Sequence, residues 1–141
     1  MLNLEVDDEV VDDFKEYKFH KASTGHIVFG LNDDRTMYKT IEKRLDEASW
    51  EELIENLPED HARIIVKHVE FLNDSGSKRS KTVVIKWLPD GVRPTEKMIF
   101  GSSIQNFLRL FDGTSKAIHA VKRDEAAMPE LITHCQYLFK T

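Results

Sequence analysis

Residues 82–87 read Thr-Val-Val-Ile-Lys-Trp, and Pro89 follows within two positions. Apolar side chains at most successive positions, rather than at alternate ones, describe a strand covered on both faces. Proline lacks the amide a sheet ladder needs, so the strand stops there. A strand of this kind requires packing layers above and below it. The fold must therefore supply a sheet with helices against it.

The rest of the chain provides those parts. Asp7 or Asp8 can cap a first helix, and Val10, Val11, Phe14 and Tyr17 recur at helical spacing behind them. Residues 26–31 read as a strand, Asn32-Asp33-Asp34 as a turn, and residues 37–41 as the returning strand. Ser49-Trp50-Glu51-Glu52 is a capping box that starts a short helix, which ends before Leu57-Pro58. Residues 62–71 are strand-like, and Asn73-Asp74-Ser75-Gly76-Ser77 is a hairpin turn into the basic run Lys78-Arg79-Ser80-Lys81. Pro94 opens a long helix expected to reach about Phe111, with a bend at Gly101-Ser102-Ser103 and Gly113 past its end. A short strand at residues 117–121 and a last helix from about Pro129, burying Leu131, Ile132 and Cys135, complete the chain. This order predicts one α+β domain, residues 1–141, with helices packed on a mostly antiparallel sheet.

The chemistry of covalent catalysis is missing from the pattern. Neither a phosphate-binding glycine loop nor a Gly-x-Ser-x-Gly elbow occurs. The histidines at 20, 26, 61, 68, 119 and 134 include no pair three or four apart, and one cysteine makes a zinc site improbable as well as precluding an internal disulfide. Cys135 reads as a core residue, so no enzyme, cofactor or metal is expected. No apolar run approaches a membrane span, and no secretory signal is read at the N-terminus. The lone cysteine fits a reducing compartment.

Charge is the more telling signal. The net charge is −5, yet residues 78–123 carry ten bases against three acids, a local +7. Six acids lie within residues 1–13. A cationic field on an acidic protein suits an anionic partner. The aromatic residues do not interleave with the bases as a nucleic-acid stacking platform would, so no nucleic-acid partner is expected.

At these residues the chain resembles the ADF/cofilin family of actin-binding proteins. The match runs through Val6-Asp7-Asp8-Glu9, Ile27-Val28-Phe29, Leu57-Pro58-Glu59-Asp60, Gly76-Ser77-Lys78-Arg79-Ser80-Lys81, Trp87-Leu88-Pro89-Asp90, Lys97-Met98, Ser102-Ser103 and Ile118-His119-Ala120. The resemblance implies a central mixed sheet flanked by helices on both faces. It also implies a monomeric, cytoplasmic, cytoskeleton-associated protein that binds actin monomers and filaments, prefers the ADP-bound form, severs filaments and speeds subunit loss.

Two surfaces are implied. Lys97, Met98 and Arg109 on the long helix, with Leu4 of the N-terminal segment, would contact monomer and filament alike. Lys78, Arg79, Lys81 and His134 would contact a second subunit in the filament. The chain departs from the family pattern at Thr95, Ile104 and Leu110, where bases are usual, and Thr133 and His134 stand where charged residues are common. Leu2-Asn3-Leu4 replaces the regulatory serine of animal members, so silencing by phosphorylation there is not expected. The alternatives are a debranching protein like glia maturation factor, which Tyr17-Lys18-Phe19 and the Gly91-x-x-Pro94 spacing resemble, and a phosphoinositide-binding module using the +7 segment.

Overall fold

Alternate residues of two long antiparallel strands supply the two halves of the core. In the computed structural model, which describes residues 3–20, 24–114 and 116–138, these strands are β4 (Arg63–Leu72) and β5 (Lys78–Trp87). Ile64, Val66 and Val84 face one apolar cluster, while Ile65, Val69, Phe71, Val83, Ile85 and Trp87 face another. Neither face of the strand pair is left to solvent over this stretch, as the unbroken apolar run requires.

The other elements fill in around them. They are β1 (Glu5–Val6), α1 (Glu9–Phe19), β2 (His26–Leu31), β3 (Met37–Arg44), α2 (Trp50–Asn56), α3 (Pro94–Leu108), β6 (Ile118–Ala120) and α4 (Met128–Leu138). A short 3-10 turn at Arg123–Ala126 precedes α4. The strand order is β1-β3-β2-β4-β5-β6, with β1 and β6 joined parallel and the inner pairs antiparallel. The sheet is therefore mixed. Helices α1 and α3 cover one face with Val10, Phe14, Tyr17, Phe100, Ile104 and Phe107. Helices α2 and α4 cover the other with Trp50, Ile54, Leu131 and Cys135.

Several local signals act as read. Asp7 Oδ1 accepts from the Glu9 amide at 3.0 Å, and Ser49 Oγ accepts from the Glu52 amide at 3.2 Å. Asn73 Oδ1 gathers the amides of Ser75 and Ser77 in the hairpin turn, where Gly76 takes φ +81°. Other boundaries shift. Strand β3 extends to Arg44, past the expected Ile41, because β2 pairs with it along its full length through a bulge at Val28/Phe29. Helix α3 stops at Leu108 rather than near Phe111. The Leu110 and Phe111 amides bond three residues back, to Phe107 and Leu108, and this tightening turns Phe111 into the aromatic cluster with Phe14, Phe29 and Phe107. Arg109 thus sits at the cap of the helix rather than within it. Among the described residues no helix is long and apolar enough to cross a membrane.

Candidate functional site

The long helix α3 divides cleanly by spacing. Glu96, Phe100, Ser103, Ile104 and Phe107 are buried. On the opposite side Thr95, Met98, Ser102, Gln105 and Arg109 are exposed, recurring every three or four residues. Met98 is 65% exposed, an unusual setting for a flexible apolar side chain whose neighbours one turn on are polar. Lys97 is half-buried, and its Nζ donates to the Asp90 carbonyl at 3.1 Å. Arg109 Nη1 donates to Asn106 Oδ1 at 3.3 Å on the exposed side. Ile104, where the resemblance led to a base, faces the core and is 4% exposed.

The N-terminal segment reaches this helix through β3. Val6 pairs with Tyr38, and the Tyr38 hydroxyl shares a 2.6 Å hydrogen bond with Ser103 Oγ on α3. Leu4 is half-buried and packs on the core beneath α1 and α3. Leu2 of the same segment lies outside the described residues.

The second candidate surface lies along the β4–β5 hairpin. Arg79 and Lys81 stand opposite Phe71 and Val69, so they share the sheet face covered by α4. Gln136 on α4 ties the helix to the hairpin by donating to the Leu72 carbonyl at 3.0 Å. His134 on α4 is half-buried, with its Nε2 buried and without a hydrogen-bond partner. Lys78 belongs to the other alternation and points to the opposite sheet face. The structure therefore gathers Arg79, Lys81 and His134 on one side and separates Lys78 from them. Tyr137, exposed by 76%, adds apolar surface on the helix, whereas Leu72, exposed by 54%, stands opposite Lys78 and shares its face.

Two buried polar clusters carried no clear sequence signal. Glu96 is 3% exposed although it sits in the first turn of α3. Its Oε2 accepts from the Ala62 amide at 2.7 Å, and its Oε1 meets His61 Nδ1 at 3.1 Å and Arg35 Nε at 3.2 Å. Burial pushes its carboxyl up, but the Ala62 amide, His61 and Arg35 together hold it below the usual carboxylate range. Behind α1, Tyr17 stacks on His68 at 4.2 Å, and both Tyr17 Oη and Lys67 Nζ donate to the Gly25 carbonyl. Among the described residues no group of three or more His, Cys, Asp or Glu could hold a metal ion. Burial pushes the Cys135 thiol up, which leaves a core sulfur rather than a nucleophile.

The fold is a single α+β domain whose mixed sheet is layered by helices on both faces, with Met98 exposed on the longest of them. The sequence pattern of the family described as Cofilin/tropomyosin-type actin-binding protein matches residues 3–136. The chain is 32% identical over 126 residues to actin-depolymerizing factor 9 of Oryza sativa, covering 89% of each chain. It is 29% identical over 144 residues to actophorin of Entamoeba histolytica, covering 99% of this chain and all of that one. The crystal structure of Streptomyces griseoflavus cofilin superposes with a TM-score of 0.84 at 24% identity, covering 96% of this chain and 98% of that one, and so supports the fold. The chain belongs to the ADF/cofilin family of actin-binding proteins.

Proposed function

We propose that this protein binds actin monomers and filaments and promotes filament severing and subunit loss. Met98 carries the reading: a large, flexible apolar side chain held out on an otherwise polar helix face, 65% exposed. Such a side chain suits an irregular apolar cleft. Lys97 beside it, Arg109 at the cap and Leu4 on the adjoining segment complete the contact with one actin subunit. Arg79, Lys81 and His134, with Lys78 at the hairpin entrance, reach a second subunit in the filament.

Severing requires no bond chemistry. A ligand that binds a distorted filament more tightly than a relaxed one shifts the filament towards the distorted state. Junctions between decorated and bare segments are then the weak points. Preference for ADP-actin belongs to the same reading, whereas a phosphoinositide-binding module using the basic segment is a separate alternative.

Cosedimentation with ADP-actin filaments, run beside a branch-dissociation assay, tests it. Pelleting with filaments and shortening them is expected. Release of branches without pelleting would instead favour a function like that of glia maturation factor. Met98→Ala should weaken filament and monomer binding together, by roughly 30-fold for a central anchor worth ~2 kcal/mol.

A further inference from the structure

The residue preceding the lysine-methionine ridge is the most enclosed acid of the molecule's described part, and its partners come from two distant loops. Arg35 lies in the turn between β2 and β3, and His61 and Ala62 lie between α2 and β4. All three meet the Glu96 carboxylate. Helix α3 starts at Pro94 with no side-chain cap. Its first turn is therefore fixed from outside, through Glu96. Arg35 adopts φ +58°, a left-handed conformation that is unfavourable for a residue with a Cβ. A glycine or asparagine would suit that turn better. The arginine side chain gains the contact with Glu96, which those residues could not make.

We infer that Arg35, His61 and Glu96 form a clamp that sets the position and direction in which α3 presents Lys97 and Met98 to actin. The inference rests on the proposed actin contact. The three are positioning residues: Glu96 is buried beneath the helix, and Met98 projects on the other side. Lys97, anchored to the Asp90 carbonyl, holds the same turn from a third loop. Losing the clamp leaves the core beneath Phe100 and Phe107 intact but lets the first turn tilt, and the ridge moves with it.

A double-mutant cycle separates this role from simple stabilisation. Arg35→Gly removes the guanidinium and relieves the left-handed backbone at once, so thermal unfolding gives the fold control. Affinity for fluorescently labelled actin monomers is measured for the parent, Arg35→Gly, Met98→Ala and the double variant. Glu96→Gln, which keeps an acceptor for the Ala62 amide, is carried through the same four-way comparison. Each clamp substitution is expected to weaken binding roughly tenfold in the parent and less than about twofold in the Met98→Ala protein, because the misplaced side chain is already absent. A loss on Met98→Ala with none on either clamp variant, or an equal loss in both backgrounds, overturns the clamp alone. If neither Met98→Ala nor the clamp variants weaken binding, the assignment of α3 to actin fails, and the clamp fails with it.

Discussion

His68 shows how one residue can join three elements without announcing itself. Its Nε2 donates to the Tyr17 carbonyl at 2.9 Å, its Nδ1 meets Thr82 Oγ1 at 2.9 Å, and its ring lies flat on Tyr17. Burial pushes its pKa down; the Tyr17 carbonyl opposes this, and Lys67 and His20 reinforce it. His26, buried beside Glu42, is also lowered, by burial first. In the unfolded chain both take up a proton near pH 6.5. In the fold they resist it, so the unfolded state binds more protons below that pH and stability falls as pH drops. The loss per histidine is at most about 1.4 kcal/mol per pH unit, and it ceases below the folded pKa. Urea denaturation between pH 7.5 and 5 should show this fall, and His68→Gln should flatten it; an equally steep profile in the variant would assign the slope elsewhere. Glu96 acts in a lower window. Its depressed pKa contributes stability that is complete above about pH 4.3 and is lost as pH falls through the folded value.

The family resemblance pointed to Lys97 and Met98, but nothing in the sequence singled out Glu96. An acid in the first turn of a helix ordinarily faces solvent and favours the helix dipole. Only the arrival of Arg35, His61 and the Ala62 amide, from 61, 35 and 34 residues away, explains its burial. No local pattern records a partner at that separation. The same holds for Lys67, which is buried on β4 and whose amine reaches the Gly25 carbonyl 42 residues away.

At the scale of the element, α3 contains a glycine that nothing inside the molecule demands. A Cβ at Gly101 would meet no atom within 4 Å. Glycine within a helix costs roughly 0.5–1 kcal/mol relative to alanine. Gly101→Ala should therefore raise the unfolding free energy by about that much, read as a higher urea midpoint, and a lowered midpoint would mean that the helix needs its glycine. Gly25 is the opposite case: a Cβ there would lie 2.2 Å from the Arg44 carbonyl oxygen and 2.7 Å from that of Leu45. Gly25→Ala should destabilise the protein by several kcal/mol, measurable in the same titration. The start of α3 was legible from Pro94, since proline fixes a helical φ and needs no amide bond there. Its end was not, because burial of Phe111 among three aromatic rings, rather than a stop residue, turns the chain at Leu108. The hairpin was legible because asparagine and glycine mark its turn. Which side each base faces depends on register, and pairing Arg79 with Phe71 sends Lys78 to the other face.

At the scale of the molecule, the sheet separates the two proposed contact surfaces. Helix α3 covers one face and α4 the other, with the hairpin bases Arg79 and Lys81 on the α4 side. A protein built this way can grip one subunit with the first surface and touch the next with the second, so the two should be separable by mutation. The family pattern over residues 3–136 supports actin as the partner. The most direct measurement is a paired one: monomer affinity and filament cosedimentation for Met98→Ala and for the Arg79→Ala/Lys81→Ala double variant. The two-surface account predicts that Met98→Ala loses both activities, while the hairpin variant loses filament binding and keeps its affinity for monomers. Equal losses of both activities in the two proteins would contradict it.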